Sequence, residues 1–525
     1  MGRKSQSKHG SKKNTAKETN KFTQQKRKEL AILVNKLLKL TSIFQASINI
    51  PKSWEHHLEI EAILKDITNL ETPNSTTKNI LNSRNLNIEK FLTWLTEHGA
   101  QFDGLEINEF EGYDLGLKAT KDFADGSLIL TVPRKLMMTE QDARESDLAP
   151  FIAVDPLLQN MPNITLALYL LLEKNNPESF WKPYIDILPQ KNSTVLYFTS
   201  EELSQLRPSP VFESSLKLFK SIARQYAYFY NKIHTLDLPV LLKLQDIFTF
   251  DNYRWAVSTV MTRQNNLQIC DADTKAFIPL WDMCNHEHGK FASFALHICF
   301  FHQKIKFLFK FLKMPIDNSI TSDFNKEMNR GECYALRDFK SGEQIFIFYG
   351  ARPNADLFLH NGFVYPNNQH DSLSLALGVS SSDPLHDTKM GLLTKLGLVA
   401  VTHYNLYRTE TPISPELLAF VRIFNMNQEE LTHWSSVGLP SELVSSDRTS
   451  AEVVGPNIDR KAYSYLLTRC KLVRASYKTD GENQPETVHR KNIRLLKECE
   501  VQILDGAIKY LESVAEKLSS DAKSE

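Results

Sequence analysis

I-P-L-W-D-M-C-N-H at Ile278–His286 and E-Q-I-F-I-F-Y-G at Glu343–Gly350 decide how this chain is read. The first is an apolar run closing on an Asn-His pair. The second alternates large apolar residues, as a buried strand does, and ends on Tyr349 and Gly350. Each string alone is common by chance; in this order and in one chain they are informative together.

Working outward, A-T-K-D-F-A-D-G-S-L-I at Ala119–Ile129 repeats A-L-R-D-F-K-S-G-E-Q-I at Ala335–Ile345 in the pattern A-x-[KR]-D-F-x-x-G-x-x-I. Each copy reads as strand, Gly-containing turn, strand, which predicts two β-hairpins. Their separation implies a β core interrupted by an insertion. The inserted part, about 140–250, carries helix-type runs at Thr165–Lys174, Ser215–Ile233 and Leu241–Ile247. Upstream, apolar residues at 30, 33, 34, 37 and 38 predict an amphipathic helix over Leu30–Phe44, Thr72–Lys78 reads as a loop, and Ile88–His98 reads as a helix. From about Gly391 the chain reads as all-helical. Ser414-Pro415-Glu416 is a helix start, and apolar residues at 496, 499, 503, 507 and 511 form one packing stripe.

No Rossmann glycine pattern, Walker A motif, HExxH or nucleophilic triad is present. His286-Glu287-His288 lacks the further ligands of a metal site and reads as solvated loop; no metal is expected. The chain is similar to the SET-domain methyltransferases, in the subgroup typified by the Rubisco large-subunit methyltransferases. The likeness rests on the two opening strings together with Y-R-W-A-V-S-T-V-M-T-R-Q-N (Tyr253–Asn265), A-R-Q-Y-A-Y-F-Y (Ala223–Tyr230) and I-F-Y-G-A-R-P-N-A (Ile347–Ala355). It implies an α+β fold: a β-rich SET core over 102–366, split by the helical insert, then an all-helical substrate-binding domain over 367–525. Residues 29–101 would form an N-terminal helical region.

The resemblance also implies a pocket for S-adenosylmethionine. Arg84 matches an arginine that reaches the cofactor carboxylate, and Arg263 matches one that pairs with it. Tyr113-Asp114-Leu115 matches the segment whose backbone borders the methionine moiety, with Asp114 standing where a glycine is usual. Asp282, Met283, Cys284, Asn285 and His286 would wrap the methionine and adenine ends, and Asn361-Gly362-Phe363 would close over the adenine. Tyr349 would set its hydroxyl near the transferring methyl. Trp281 would pack against the target peptide, and Arg352 would bond its backbone or ring edge. Each has a plainer reading: Arg263 as surface, Trp281 and Phe363 as core.

Lysine-modifying relatives typically carry an aromatic residue where this chain has Asn265. A carboxamide offers an acceptor and two donor hydrogens, which suits a neutral imidazole better than a lysine stem. An imidazole with a pKa of ~6.5 is mostly unprotonated near neutrality, whereas a lysine at ~10.4 must first lose a proton. On this point the chain resembles the branch of the family that methylates a histidine of actin. Two alternatives stay open: a lysine methyltransferase in which Asn265 merely lines the pocket, and a catalytically silent SET scaffold binding a partner.

Composition sets the outer bounds. The 525 residues balance 62 Lys and Arg against 62 Asp and Glu, but Met1–Lys28 holds ten basic residues and one acid. That stretch reads as a disordered basic arm, either a solvated tail or a nucleic-acid or nuclear-localisation contact. Six cysteines without zinc spacing suggest a reducing compartment. With neither a signal peptide nor a long apolar span, the expectation is a monomer off the membrane, in the cytoplasm, with the nucleus as a second location. Phe291–Ser319 has seven Phe in its first 21 residues and no acid before Asp317. It reads as a spurious insertion, a translated intron, with a genuine extra helix or a membrane-touching loop as alternatives.

Overall fold

The computed structural model describes residues 9–43, 50–71, 83–269, 272–287, 292–294, 324–398, 402–437, 441–445, 454–477 and 487–524. The chain divides into two compact units, one of residues 1–192 and 215–350, the other of 193–214 and 351–525.

The first unit opens with helices His9–Ser42 and Ile50–Glu71, which pack on each other. Val34, Leu37 and Thr41 of the first are buried, as are Ile60, Ile63, Leu64 and Ile67 of the second. The first helix begins well inside the segment expected to be a disordered arm, which corrects that reading for residues 9–28. Beyond Gly10 that stretch has no glycine or proline and is rich in Lys, so nothing local stops a helix anchored further on from extending backwards. Glu71 ends the second helix with its carboxylate accepting from the Tyr226 hydroxyl and from the Phe250 amide at 2.8 Å. Helix Ser83–Glu97 follows. The loop expected at 72–78 lies outside the described residues.

Strands β1 (Leu105–Phe110), β2 (Asp114–Ala119), β3 (Leu128–Pro133) and β4 (Met138–Thr139) precede the helical insert, and β5 (Asn265–Ile269) and β6 (Ala272–Phe277) follow it. Then come β7 (Asn285–His286), β8 (Ala292–Phe294), β9 (Phe324–Asn325), β10 (Arg330–Ala335) and β11 (Gln344–Ile347). They form three small sheets, ordered β1-β2-β11-β7, β3-β10-β8 with β9 also on β10, and β4-β6-β5. Every pairing is antiparallel except β7 on β11, where Asn285 faces Phe346 and His286 faces Ile347. That one parallel pairing brings the two opening strings side by side.

The echoed segments do not form hairpins. β2 pairs with β11 and β3 with β10, so each copy arches from one sheet to the other and joins its counterpart. Phe123 and Phe339 exchange backbone hydrogen bonds at 2.9 and 2.8 Å, and both rings are buried. The Asp122 carboxylate accepts from the Ser341 amide, and Asp338 from the Asp125 amide, each at 2.9 Å. A conserved-length arch with a phenylalanine at its crown buries that ring only by crossing between layers, which a tight hairpin would leave exposed.

The insert is helical as expected. Its helix Pro162–Lys174 is buried from Ile164 to Leu172 and packs on helix Phe250–Arg263 and on β6. Of the Phe-rich stretch, residues 292–294 are β8, paired to Cys333–Ala335. The rest of the stretch lies outside the described residues.

In the second unit, β12 (Ser372–Ala376) and β13 (His403–Tyr407) form an antiparallel pair, correcting the all-helical expectation. S-L-S-L-A and H-Y-N-L-Y alternate with period two, and Leu373, Leu375, Tyr404 and Leu406 are buried. The helices include Pro415–Asn425, capped by Ser414 as expected, Pro456–Ser476 and Val488–Ser524. Leu496, Cys499, Ile503, Ala507 and Leu511 are the buried stripe of the last. Arg422 is fully buried against Asp459, at 2.6 and 3.1 Å, with its remaining donors on the carbonyls of Leu443 and Ser445. Among the described residues no helix is long and apolar enough to cross a membrane.

Candidate active site

The hexapeptide Trp281–His286 is the centre of the site in the first unit. It leaves a backbone strained at Leu280, whose φ of 70° is rare for a branched residue. Most of its polar groups are then taken by residues from other elements. The Trp281 indole Nε1 donates to Asn265 Oδ1 at 3.3 Å, and Asn265 Nδ2 donates to the Arg263 carbonyl at 3.1 Å. Arg263 Nη1 donates to the Asp282 carbonyl at 2.8 Å. The Tyr184 hydroxyl donates to Asp282 Oδ2. The Tyr349 hydroxyl donates to the Cys284 carbonyl at 2.8 Å, and its backbone amide donates to His286 Nδ1 at 3.1 Å. Asn285 Nδ2 donates to the Leu115 carbonyl at 3.3 Å. Because Nδ1 accepts, the His286 proton sits on Nε2. Met283, Cys284 and His286 are buried.

Local folding explains this convergence. Arg263 ends the helix Phe250–Arg263 and Asn265 starts β5, so the helix end delivers both to the same place. Tyr349 follows β11 directly. Gly116 in β2 lets the strands close up: a Cβ there would lie 2.7 Å from both Asn285 Nδ2 and Gln344 Nε2.

The electrostatics are those of a small charge cluster. Asp282 is almost fully enclosed (1% side-chain exposure), and burial pushes its pKa up despite Arg263 nearby. Burial works against the Arg263 charge, but Asp282, with smaller help from Tyr184, Tyr349 and Asp114, outweighs it and holds the pKa above its ordinary value. Arg263 Nη1 stands 3.6 Å from Asp282 Oδ1, beyond hydrogen-bond reach. Arg263 Nε and Asp282 Oδ1 are both buried without a partner. Two orphaned groups of opposite charge side by side fit the carboxylate and ammonium of an α-amino-acid head, which is the end of S-adenosylmethionine expected here. Burial raises the Tyr349 pKa well above the usual phenol value, so that hydroxyl stays protonated and is no base.

Arg84 lies against the same cluster: Nε donates to the Ile187 carbonyl at 2.6 Å and Nη1 pairs with Asp114. Asp114 adopts φ of 63°, the left-handed conformation a glycine would take, so its unusual identity leaves the local backbone path as expected. Tyr113 is exposed and packs edge-on to Phe346.

Trp281, read as packing on the target, is 1% exposed and donates its indole N–H to the Asn265 carboxamide. Arg352, Asn361, Gly362 and Phe363 belong to the second unit. There Arg352 Nη1 donates to Asn361 Oδ1 at 2.7 Å. Gly362, at φ of 79°, passes so near Ser193 that a Cβ would meet its carbonyl carbon at 2.6 Å. Phe363 is half-buried. Sequence reading missed Tyr184 and Gln344. Tyr184 lies in no motif and is 98 positions from its partner Asp282, whereas Gln344 lies inside the string Glu343–Gly350 but was assigned no role. Among the described residues no cluster of His, Cys, Asp or Glu could hold a metal.

Residues 114–350 match the SET domain family and residues 380–519 the Rubisco LSMT substrate-binding family. The chain is 38% identical over 492 residues to the actin-histidine N-methyltransferase of Danio rerio, spanning 92% of this chain and 77% of that one. The Gallus gallus protein of the same name is 38% identical over 494 residues, 91% and 78% of the two chains. Among solved structures, the SET domain of LSMT bound to lysine and AdoHcy superposes with a TM-score of 0.62 at 20% identity, covering 83% of this chain and 93% of that one. Rubisco LSMT bound to AdoMet gives 0.60 at 20% identity and the same coverage. At that identity these two share the fold.

Proposed function

Since the chain belongs to the actin-histidine N-methyltransferase family of SET-domain protein methyltransferases, we propose that it moves the methyl group of S-adenosylmethionine onto an imidazole nitrogen of a histidine in actin. The observation that carries the histidine reading is the Asn265 carboxamide, fixed at both ends by Trp281 and the Arg263 carbonyl. One lone pair on its oxygen remains uncommitted. It is suited to accept an imidazole N–H and so leave the other ring nitrogen bare for attack.

The bound cofactor would supply an electrophilic methyl on a sulfonium. On this reading Arg263 and Asp282 take its carboxylate and ammonium, and the Trp281–His286 backbone with Asn285 runs along its length. Tyr349, a neutral phenol with its proton on the Cys284 carbonyl, turns oxygen lone pairs rather than charge toward the methyl, in weak C–H···O contact. Alignment provides most of the rate, as much as ~7–11 kcal/mol in well-oriented systems. The neutral imidazole needs no base before attack, and the imidazolium formed loses its proton to water. The reading places the enzyme with actin in the cytoplasm.

Labelled S-adenosylmethionine with actin and a histone mixture, followed by peptide mass spectrometry, tests the proposal. Label on an actin histidine is expected; label confined to lysine would leave the methyltransferase class and remove the histidine assignment.

A further inference from the structure

We propose that Tyr184, carried by the helical insert, is a positioning residue for cofactor binding: its hydroxyl fixes the Asp282 carboxylate so that Oδ1 faces the ammonium of the amino-acid head. The inference rests on the reading of Arg263 and Asp282 as the cofactor's head-group site. Tyr184 has no exposed surface and sits in the short helix Lys182–Ile185, in a segment otherwise remote from the sheets. Its ring packs between Phe91 and Phe277, at 6.1 and 6.2 Å, which leaves the hydroxyl one direction to point. Along that direction lies Asp282 Oδ2.

A carboxylate has two oxygens, and here they have opposite fates. Oδ2 is taken by the phenol, while Oδ1 is buried and unpartnered beside Arg263. Without the phenol, the carboxylate can rotate toward Arg263 and take its Nη1 and Nε for itself, closing both orphaned positions. The phenol thus keeps an acceptor and a donor apart and open, at the cost of leaving each unsatisfied until a zwitterion arrives. Three residues on, the Ile187 carbonyl holds Arg84 Nε at 2.6 Å. The same stretch of insert therefore touches the carboxylate of the cluster and one of its two cationic arms.

The groups that bear on Asp282 are Arg263 from the helix end, Arg84 from helix Ser83–Glu97, Tyr184 from the insert, and Cys284 and Tyr349 beside it. The Tyr184 hydrogen bond favours the ionised form, against the dominant effect of burial. Its loss should shift the acid limb of binding to higher pH.

The test is Y184F, a change of one buried oxygen, measured by calorimetric titration with AdoHcy between pH 6 and 8 and by steady-state kinetics. Expected are a Kd for AdoHcy weaker by roughly 10- to 100-fold, the loss attached to a hydrogen bond on a charged group, a larger deficit at pH 6 than at pH 8, and kcat at saturating cofactor within about threefold of the parent. In a D282N background the same change should add less than about twofold. A Kd within twofold of the parent at both pH values would overturn the proposal, as would a full additional loss on top of D282N or a fall in kcat with Kd untouched. If the parent binds no AdoHcy at all, the cofactor reading itself has failed.

Discussion

Gly116→Ala adds one methyl at the point where two strings of the site touch. The new Cβ would stand 2.7 Å from Asn285 Nδ2, 2.7 Å from Gln344 Nε2 and 3.0 Å from Phe110 Cδ2. Ordinary contact begins near ~3.5 Å, so both amides must retreat by roughly 0.8 Å. Gln344 has a long side chain and can swing out. Asn285 has one rotatable bond fewer, sits in β7 beside His286, and is held to the Leu115 carbonyl at 3.3 Å. Its retreat breaks that bond, worth about 0.5–1.5 kcal/mol, within a total overpacking cost of about 1–3 kcal/mol. Because Asn285 lies in the proposed cofactor segment, about 1–2 kcal/mol of that should surface as weaker AdoHcy binding, a factor of roughly 5–30. Titration calorimetry with AdoHcy gives the affinity and a thermal melt gives the global cost. If G116A binds AdoHcy within twofold of the parent and melts at the same temperature, the strands do not rely on a bare backbone here and the account of Asn285 is wrong.

Three other outcomes are expected. Tyr349→Phe should lower kcat about 10- to 100-fold with AdoHcy affinity within about threefold, because on the proposed reading the phenol oxygen would face the transferring methyl while the ring still fills its place; steady-state kinetics with titration calorimetry decides. Asn265→Phe should weaken histidine methylation and favour lysine, read by mass spectrometry of competing peptides, and full histidine activity would show that the carboxamide is not the selector. Burial raises the Glu71 pKa from an unfolded value near 4.5 to about 7. The folded state therefore binds more protons across that window, and the contribution of this group to stability is fully present below pH ~4.5 and is lost as pH rises through 7, by roughly 3 kcal/mol. Glu71→Gln keeps the Phe250 amide bonded, so denaturation midpoints at pH 5 and pH 8 should draw together; an unchanged pH dependence would assign it to other groups.

The α+β class, the helical insert and the caps were legible because they rest on local chemistry: Ser414 before Pro415, and an apolar stripe along 496–511. The hairpins were misread for a physical reason. Local pattern specifies that strand, glycine turn and strand occur, but it does not say which strand pairs with which. The long-range exchange of Asp122 and Asp338 carries no sequence signal until the two arches are set against each other. The β12–β13 pair was overlooked because its two strands are separated by a helix, so no turn announced it. Within the site, the residues in motifs came together around Trp281–His286, whereas Tyr184 was invisible: a tyrosine in an insert says nothing of a carboxylate it meets only after folding. The basic arm was judged by composition alone, which does not register that a helix nucleated at Val34 and Leu37 can propagate into lysine-rich sequence.

The mutual capping of the two arches has a consequence for biosynthesis. The Asp125 amide waits for a carboxylate 213 residues later in the chain, and Asp122 for an amide 219 residues later. At a ribosomal pace of about 5–20 residues per second, β2 and β3 emerge with open edges for roughly 10–40 s before their mates exist. During that interval the nascent chain is exposed to sheet-edge aggregation, while single helices such as Pro162–Lys174, whose hydrogen bonds are local, can already form. A ribosome stalled before Arg330 would carry helices of the insert without the strands β10 and β11, and such a chain should depend on chaperones in proportion to the length of the pause.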